Sequence, residues 1–247
     1  MKTIMILAML GLFTGRHIGH AQEIQEDTIP TSEGNLEISS LGRATLMFQF
    51  NEMVIHIDPV GAEADYTNLP KADLILVTHE HGDHLDLNAI SQIRTEKTDI
   101  VWSESCAAKA EGIPGQVMKN GDTRTVKGLA IEAVPAYNIE NMRSPGNPYH
   151  PKGVGNGYIV TFGDTRVYIA GDGEITPEMK ALENIDVAFL PVHPPSSMSP
   201  EMTADAVGAF HPKILYPYHI TNTDHLSLLT KLLAAEKDIE VRIRNME

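Results

Sequence analysis

The sequence predicts an α/β protein, an αββα four-layer sandwich in which two mixed β-sheets pack face to face beneath outer helices. Three observations carry this. Short hairpin-linked strands open each half of the chain, strand and helix alternate towards the end of each half, and the glycine-rich phosphate fingerprint of doubly wound parallel sheets is missing. With 247 residues and 42% hydrophobic content, the chain can bury a core of this size as one domain.

Residues 36–41, 44–50 and 53–57 read as an antiparallel meander punctuated by Gly42 and Asn51-Glu52, and Asp58-Pro59 ends it. Residues 73–77 form a compact apolar strand that runs straight into THEHGDHLD. Asp86 is placed to cap a helix bearing Leu87, Ile90 and Ile93 on one face. A strand over 100–102 follows, and Ser103 opens a second short helix. Strands return over 116–134, with Asn120-Gly121 and Lys127-Gly128 as turn signals. Residues 135–156, rich in Pro, Gly and Asn, read as a long binding loop with Tyr137, Arg143, His150 and Lys152 as candidate substrate contacts. A hairpin over 157–162 and 166–170 turns at Gly163-Asp164. Helices over 177–182, 200–210 and 223–236 then alternate with strands over 187–190, 214–218 and 241–243.

At the amino terminus, Lys2 precedes an apolar run over 3–13, too short for the roughly 20 residues that span a bilayer. Residues 1–21 therefore read as a signal peptide cleaved after Ala21, which places the protein in the periplasm or outside the cell. Residues 22–35 read as a polar leader, and 36–247 as the folded domain. The net charge is −14, and loss of Lys2 and Arg16 makes it more negative still. Such a chain is repelled by nucleic acid and by anionic membrane surfaces, so no nucleic-acid partner and no stable membrane insertion after signal removal are expected. A small-molecule substrate is. The single cysteine, Cys106, excludes an intramolecular disulfide and reads as an inert buried thiol, while Trp102 and the methionines read as core.

His79, His81, Asp83 and His84 fall within six residues, directly after an apolar strand. Imidazole and carboxylate are preferred zinc ligands, and two histidines one residue apart in extended chain point to the same side. Gly82 lets the chain turn and aim Asp83 and His84 at a second point in the same cavity. Asp172 and His219 each end a later strand, where site residues gather.

With HIDP at 56–59, THEHGDH at 78–84, VPAYN at 134–138, AGDGE at 170–174, LPVHPPSSMSPE at 190–201 and PYH at 217–219, the sequence resembles the metallo-β-lactamase-fold superfamily. Within it, the chain is similar to the metal-dependent hydrolases related to ascorbate-phosphate lactonase and N-acyl-phosphatidylethanolamine phosphodiesterase. The resemblance implies that His79 and His81 bind a first metal, that Asp83, His84 and His219 bind a second, and that Asp172 bridges them. Two divalent ions, zinc in the first instance, would activate a hydroxide to cleave a lactone, ester or phosphodiester bond, with Asp83 as the catalytic carboxylate that orients the water and relays its proton. Asp58 looks like an acceptor that fixes an imidazole tautomer, and His56 a packed strand residue.

Three positions depart from the relatives. Asn138 stands where a third first-metal histidine is common, which implies a weakened first site, a harder ion such as manganese, or recruitment of His150 or His193. A weakened site also keeps open the alternative of a metal-binding protein with impaired or no catalysis. Gly173 stands where Thr is frequent and Arg43 where His is frequent.

Overall fold

The computed structural model describes residues 24–244, so the signal segment expected at 1–21 lies outside the described residues. One sheet holds, in spatial order, β1 (Gln25–Thr31), β2 (Gly34–Gly42), β3 (Thr45–Phe50), β4 (Met53–Ile57), β5 (Leu74–Leu76), β6 (Asp99–Trp102) and β7 (Gln116–Val117). Pairing is antiparallel from β1 to β4 and parallel from β4 to β7. The parallel part is connected through α1 (Leu87–Ile93) and α2 (Glu104–Lys109).

The other sheet begins with β8 (Thr123–Val126) and β9 (Leu129–Ala136). A two-stranded ribbon of β10 (Met142–Ser144) and β11 (Asn147–Pro148) follows, so the expected loop carries short structure of its own. Then come β12 (Gly155–Phe162), β13 (Thr165–Ile169), α3 (Pro177–Lys180), β14 (Val187–Pro191), α4 (Pro200–Phe210), β15 (Ile214–Tyr218), α5 (Thr223–Leu232) and β16 (Glu240–Val241). The spatial order is β16-β15-β14-β13-β12-β9-β8, parallel from β16 to β13 and antiparallel from there to β8.

Side-chain alternation along the strands sorts the apolar residues into three cores between four layers. Leu74 and Leu76 join the core between the sheets, whereas Ile75 and Val77 pack with Ile90, Ile93 and Cys106 of the outer helices. On the second sheet Phe189 faces the central core, while Ala188 and Leu190 pack with Val207 and Phe210 of α4 and Leu229 of α5. Phe48 of one sheet meets Phe162 and Phe189 of the other, with ring centroids 6.2 and 5.8 Å apart. The helices begin where the caps predict: Asp86 accepts from the backbone N–H groups of Asn88 and Ala89, and Ser103 from that of Cys106.

Of residues 22–35, expected as a polar leader, the described ones, 24–35, are mostly sheet. β1 pairs along its whole length with β2, from Gln25 opposite Ser40 to Thr31 opposite Gly34. Ile29 is the one buried residue of the strand, because an edge strand is held by its backbone and needs no apolar face. Asp27 fastens it to the far end of the chain by accepting from Arg244 at 2.6 and 2.7 Å.

Candidate metal centre

The candidate ligands meet where the parallel strands of both sheets end. Asp58 follows β4, the HEHGDH segment follows β5, Asp172 follows β13 and His219 follows β15. The backbone turns sharply here: Asp58, His219 and Arg43 all take positive φ, at 45°, 53° and 33°. Each turn is tied down, Asp58 N–H donating to the Leu76 carbonyl at 2.9 Å and His219 N–H to the Arg43 carbonyl at 2.9 Å.

Three groups of donor atoms converge: His79, His81 and His150; His79, His84 and Asp172; and Asp83, His84 and His219. Two ligand atoms each about 2.0–2.1 Å from one tetrahedral ion stand roughly 3.3 Å apart. The observed separations bracket that value. His79 Nε2 and His150 Nε2 each lie 3.2 Å from His81 Nδ1, and His84 Nε2 lies 3.1 Å from His219 Nε2. Asp83 Oδ2 is 3.4 Å from His219 Nε2. Asp172 Oδ2 reaches both sides, 3.7 Å from His150 Nε2 and 3.6 Å from His219 Nε2, and its Oδ1 is buried without a hydrogen-bond partner. The donor set fits two metal ions sharing Asp172.

Hydrogen bonds behind the ligands set which ring nitrogen faces the cavity. Asp58 accepts from Thr78 N at 2.7 Å, Thr78 Oγ1 at 2.7 Å and His84 Nδ1 at 2.8 Å, leaving His84 Nε2 to face inward. Thr78 gives its hydroxyl proton to Asp58, so its oxygen accepts from His79 Nδ1 at 3.1 Å and His79 Nε2 faces inward too. This is the tautomer-fixing role expected of Asp58.

Of the alternatives that Asn138 left open, the geometry favours recruitment of His150, which groups with His79 and His81. Asn138 Oδ1 accepts from both the backbone N and the Nδ1 of His150 at 2.8 Å, and thereby presents His150 Nε2 to the cavity. The amide is no ligand; it positions the third imidazole. His193, the rival candidate, belongs to none of the three donor groups; it lies against the His219 ring at 4.7 Å and bonds Thr221 Oγ1 through Nδ1 at 2.9 Å. Asn138 is gripped in turn by Glu174, a residue to which sequence reasoning gave no role although it lies two positions after Asp172. Glu174 is 2% exposed and accepts from the backbone N of Ile139 and Glu140 at 2.8 Å, of Asn141 at 2.7 Å, and from Asn138 Nδ2 at 3.2 Å. Gly173 between them has φ +153°, and a Cβ there would stand 2.6 Å from Tyr137 N, so the close approach of these two loops excludes Thr.

Burial lowers the pKa of His79 well below its usual value and that of His150 to about 4, so both are neutral and ready to donate a lone pair. Burial acts on His84 in the same direction, but Asp172 and Asp58 override it and push His84 up to about 10. A hydrogen bond from His219 holds the Asp83 carboxyl below its usual range.

Two expected substrate contacts are engaged elsewhere. Tyr137 donates to Glu178 at 2.9 Å, and Lys152 donates to both Tyr137 Oη at 3.1 Å and Glu178 at 2.9 Å, a brace across the base of the loop. Arg143 lies over the Tyr149 ring at 4.8 Å. His56 and Cys106 are buried, as expected of packing residues.

The family model of the beta-lactamase superfamily domain matches residues 37–219. The UPF0173 metal-dependent hydrolase of Methanopyrus kandleri is 30% identical over 198 residues, covering 74% of this chain and 84% of that protein. A crystal structure of a protein from Parabacteroides distasonis, provisionally assigned as a metal-dependent hydrolase, is 46% identical with a TM-score of 0.85, over 91% of this chain and all of that one. Igni18, a metallo hydrolase of Ignicoccus hospitalis, shares the fold at 22% identity and a TM-score of 0.68, over 85% of this chain and 95% of that one. The layered sheets, the ligand cluster at their strand ends and these matches agree: the chain belongs to the metallo-β-lactamase superfamily.

Proposed function

We propose that the protein is a metal-dependent hydrolase that cleaves a lactone, ester or phosphodiester bond of a small molecule at a two-metal centre. The observation that carries this reading is the spacing of the donor atoms, 3.1–3.7 Å within each set, around a carboxylate common to both. His79, His81 and His150 would hold one ion and Asp83, His84 and His219 the other, with Asp172 shared. Three imidazoles suit zinc and favour this reading over manganese and over a non-catalytic metal binder, both of which were argued from the lack of a third histidine at position 138.

When bound, two divalent ions polarise the oxygen of the scissile group and lower the pKa of water. The chain supplies the rest. Asp58 and Asn138 lock three imidazoles in the orientation that presents Nε2, so little reorganisation is needed on binding. Asp172 is 5% exposed and enclosed by the histidines, whereas the Asp83 side chain is 38% exposed. Asp83 is thus the carboxylate open to solvent, placed to orient a water and take its proton. Metal analysis of protein purified without added metal, with a panel of lactones, esters and phosphodiesters, tests the reading. About two zinc ions per chain and chelator-sensitive turnover are expected; one tightly held ion with no turnover would overturn it.

We also propose export, with the exported chain beginning at Gln22, supported by Lys2 and the short apolar run. Amino-terminal sequencing of the cell-expressed protein that returned Met1 would refute it.

A further inference from the structure

We propose that Arg43 is a specificity-determining residue that selects substrates bearing an anionic group, a carboxylate or a phosphoryl group, next to the bond cleaved. The proposal rests on the hydrolase reading above and extends it to a substrate class.

Arg43 occupies the turn between β2 and β3, fixed beside the centre because its own carbonyl receives the N–H of His219 at 2.9 Å. Its guanidinium makes few contacts for a group with five donors in a rigid fork. Its one ion pair among the described residues is to Asp83 Oδ2, at 3.7 Å with the Arg43 side chain 30% exposed. Arg43 Nε is buried with no hydrogen-bond partner. Well-made guanidinium–carboxylate pairs close to about 2.7–2.9 Å, so this one leaves donors to spare. Arg43 also lines an open cleft with Ile220, Thr221, Asn222 and Thr223, the residues that follow His219. Arg43 thus joins this cleft to the candidate ligands, its guanidinium 3.7 Å from Asp83 and its carbonyl bonded to the His219 N–H.

Charge gives the cleft its selectivity. Two divalent ions would bring four positive charges against the carboxylates of Asp58, Asp83 and Asp172, and Asp83 would then be engaged by an ion rather than by Arg43. A cation left beside such a centre is repelled unless an anion lies between them. The chain as a whole carries −14, so a mouth of reversed sign is a local device that draws anionic molecules to this one place. The plain alternative is that Arg43 only balances Asp83 and the nearby Glu63.

The test uses the zinc-loaded full-length chain, with neutral 4-nitrophenyl acetate and the carboxylate-bearing mono-4-nitrophenyl succinate as substrates, and calorimetric titration with succinate and with inorganic phosphate. Arg43→Met should lower the succinate-over-acetate selectivity by about 10- to 100-fold, chiefly through KM, the range for loss of a charged hydrogen bond. It should weaken binding of succinate, phosphate or both by a similar factor, and the anion more affected names the group selected. Arg43→Lys should recover part of the loss as a point charge. Arg124→Gln, which removes an equal charge from an exposed position of β8, should leave selectivity unchanged. Equal loss on both esters, or weaker zinc binding with selectivity intact, would show Arg43 to be a counter-charge and overturn the proposal. If the unaltered protein cleaves neither these esters nor the panel above, the hydrolase reading fails. The anion titrations still decide: unequal binding by the natural chain and Arg43→Met upholds the anion site, and equal binding sinks it.

Discussion

The two sides of the metal centre hold their imidazoles by different chemistry. His84 leans on the carboxylate of Asp58, which ends β4 and is fully buried, whereas His150 leans on the neutral amide of Asn138 at the start of a loop. Both bonds are 2.8 Å long and both leave Nε2 facing the cavity. They differ in what else depends on them. Asp58 directly follows β4, a strand already ordered by the core, so its side comes preassembled with the fold. Asn138 is held by Glu174 and by the Ser196 carbonyl at 3.0 Å, so its side exists only when three separate loops have closed. Charge differs as well: Asp172 and Asp58 favour a proton on His84 until a metal displaces it, while Asn138 offers no charge and His150 stays neutral.

The largest effect is expected where the two sides join. Asp172→Ala should abolish turnover and bring bound zinc from about two ions to one or none, because the shared carboxylate belongs to both sets. Retention of both ions would show that the sides are independent. Next come the two supports. Asp58→Asn should weaken metal binding on the His84 side by about 100-fold and Asn138→Ala on the His150 side by about tenfold, the upper and lower ends of the range for such supports. Competition with a chelator measures both, and equal losses would erase the distinction between a charged and a neutral support. Asn138→His, expected from sequence alone to complete the first site, should weaken it instead by removing the acceptor that orients His150.

The pH dependence separates the sides again. A metal entering beside His84 must displace its proton, so affinity there should rise about tenfold per pH unit between about 6.5 and 9, below the pKa of about 10. On the other side burial lowers all three imidazoles, His150 to about 4, and affinity should change little over the same window. Zinc calorimetry in buffers of differing ionisation enthalpy reads the protons released. Release of none at pH 7 would contradict the charged state of His84, and Asp58→Asn should flatten the profile.

What could be read in the sequence follows the same division. His79, His81, Asp83 and His84 crowd one short segment after an apolar strand, and Asp172 and His219 end strands with clear patterns, so their convergence was legible. His150 remained one of two candidates because its place depends on Asn138, twelve residues away, and on Glu174 further still. No period or motif encodes such a closure. β1 was missed for a related reason: its bonds are backbone bonds to β2, and with Ile29 alone buried it shows no alternation. Strand and helix ends in the core were legible because the alternation of Leu74, Ile75, Leu76 and Val77 between two cores is written in side chains.

The smallest effect concerns the outermost link, Glu174. Its Oε2 accepts from the backbone N of Ile139 and Glu140, and its Oε1 from that of Asn141 and from Asn138 Nδ2. Glu174→Gln keeps the shape but turns an NH2 group against one of these pairs of donors, whichever way the amide is placed. A buried backbone donor left unmet costs about 1–3 kcal/mol, which for a chain of this size lowers Tm by roughly 3–10 °C. If the NH2 takes the Oε1 position, Asn138 loses a partner as well as Asn141, and His150 is oriented less firmly. Zinc affinity on the His150 side should then fall by a few-fold at most, less than for Asn138→Ala, because the Ser196 carbonyl still holds the amide. A thermal melt of the metal-free protein and a chelator titration separate the two consequences. A drop in zinc affinity as large as that of Asn138→Ala would mean that Glu174, rather than Asn138, is the residue on which this side of the centre turns.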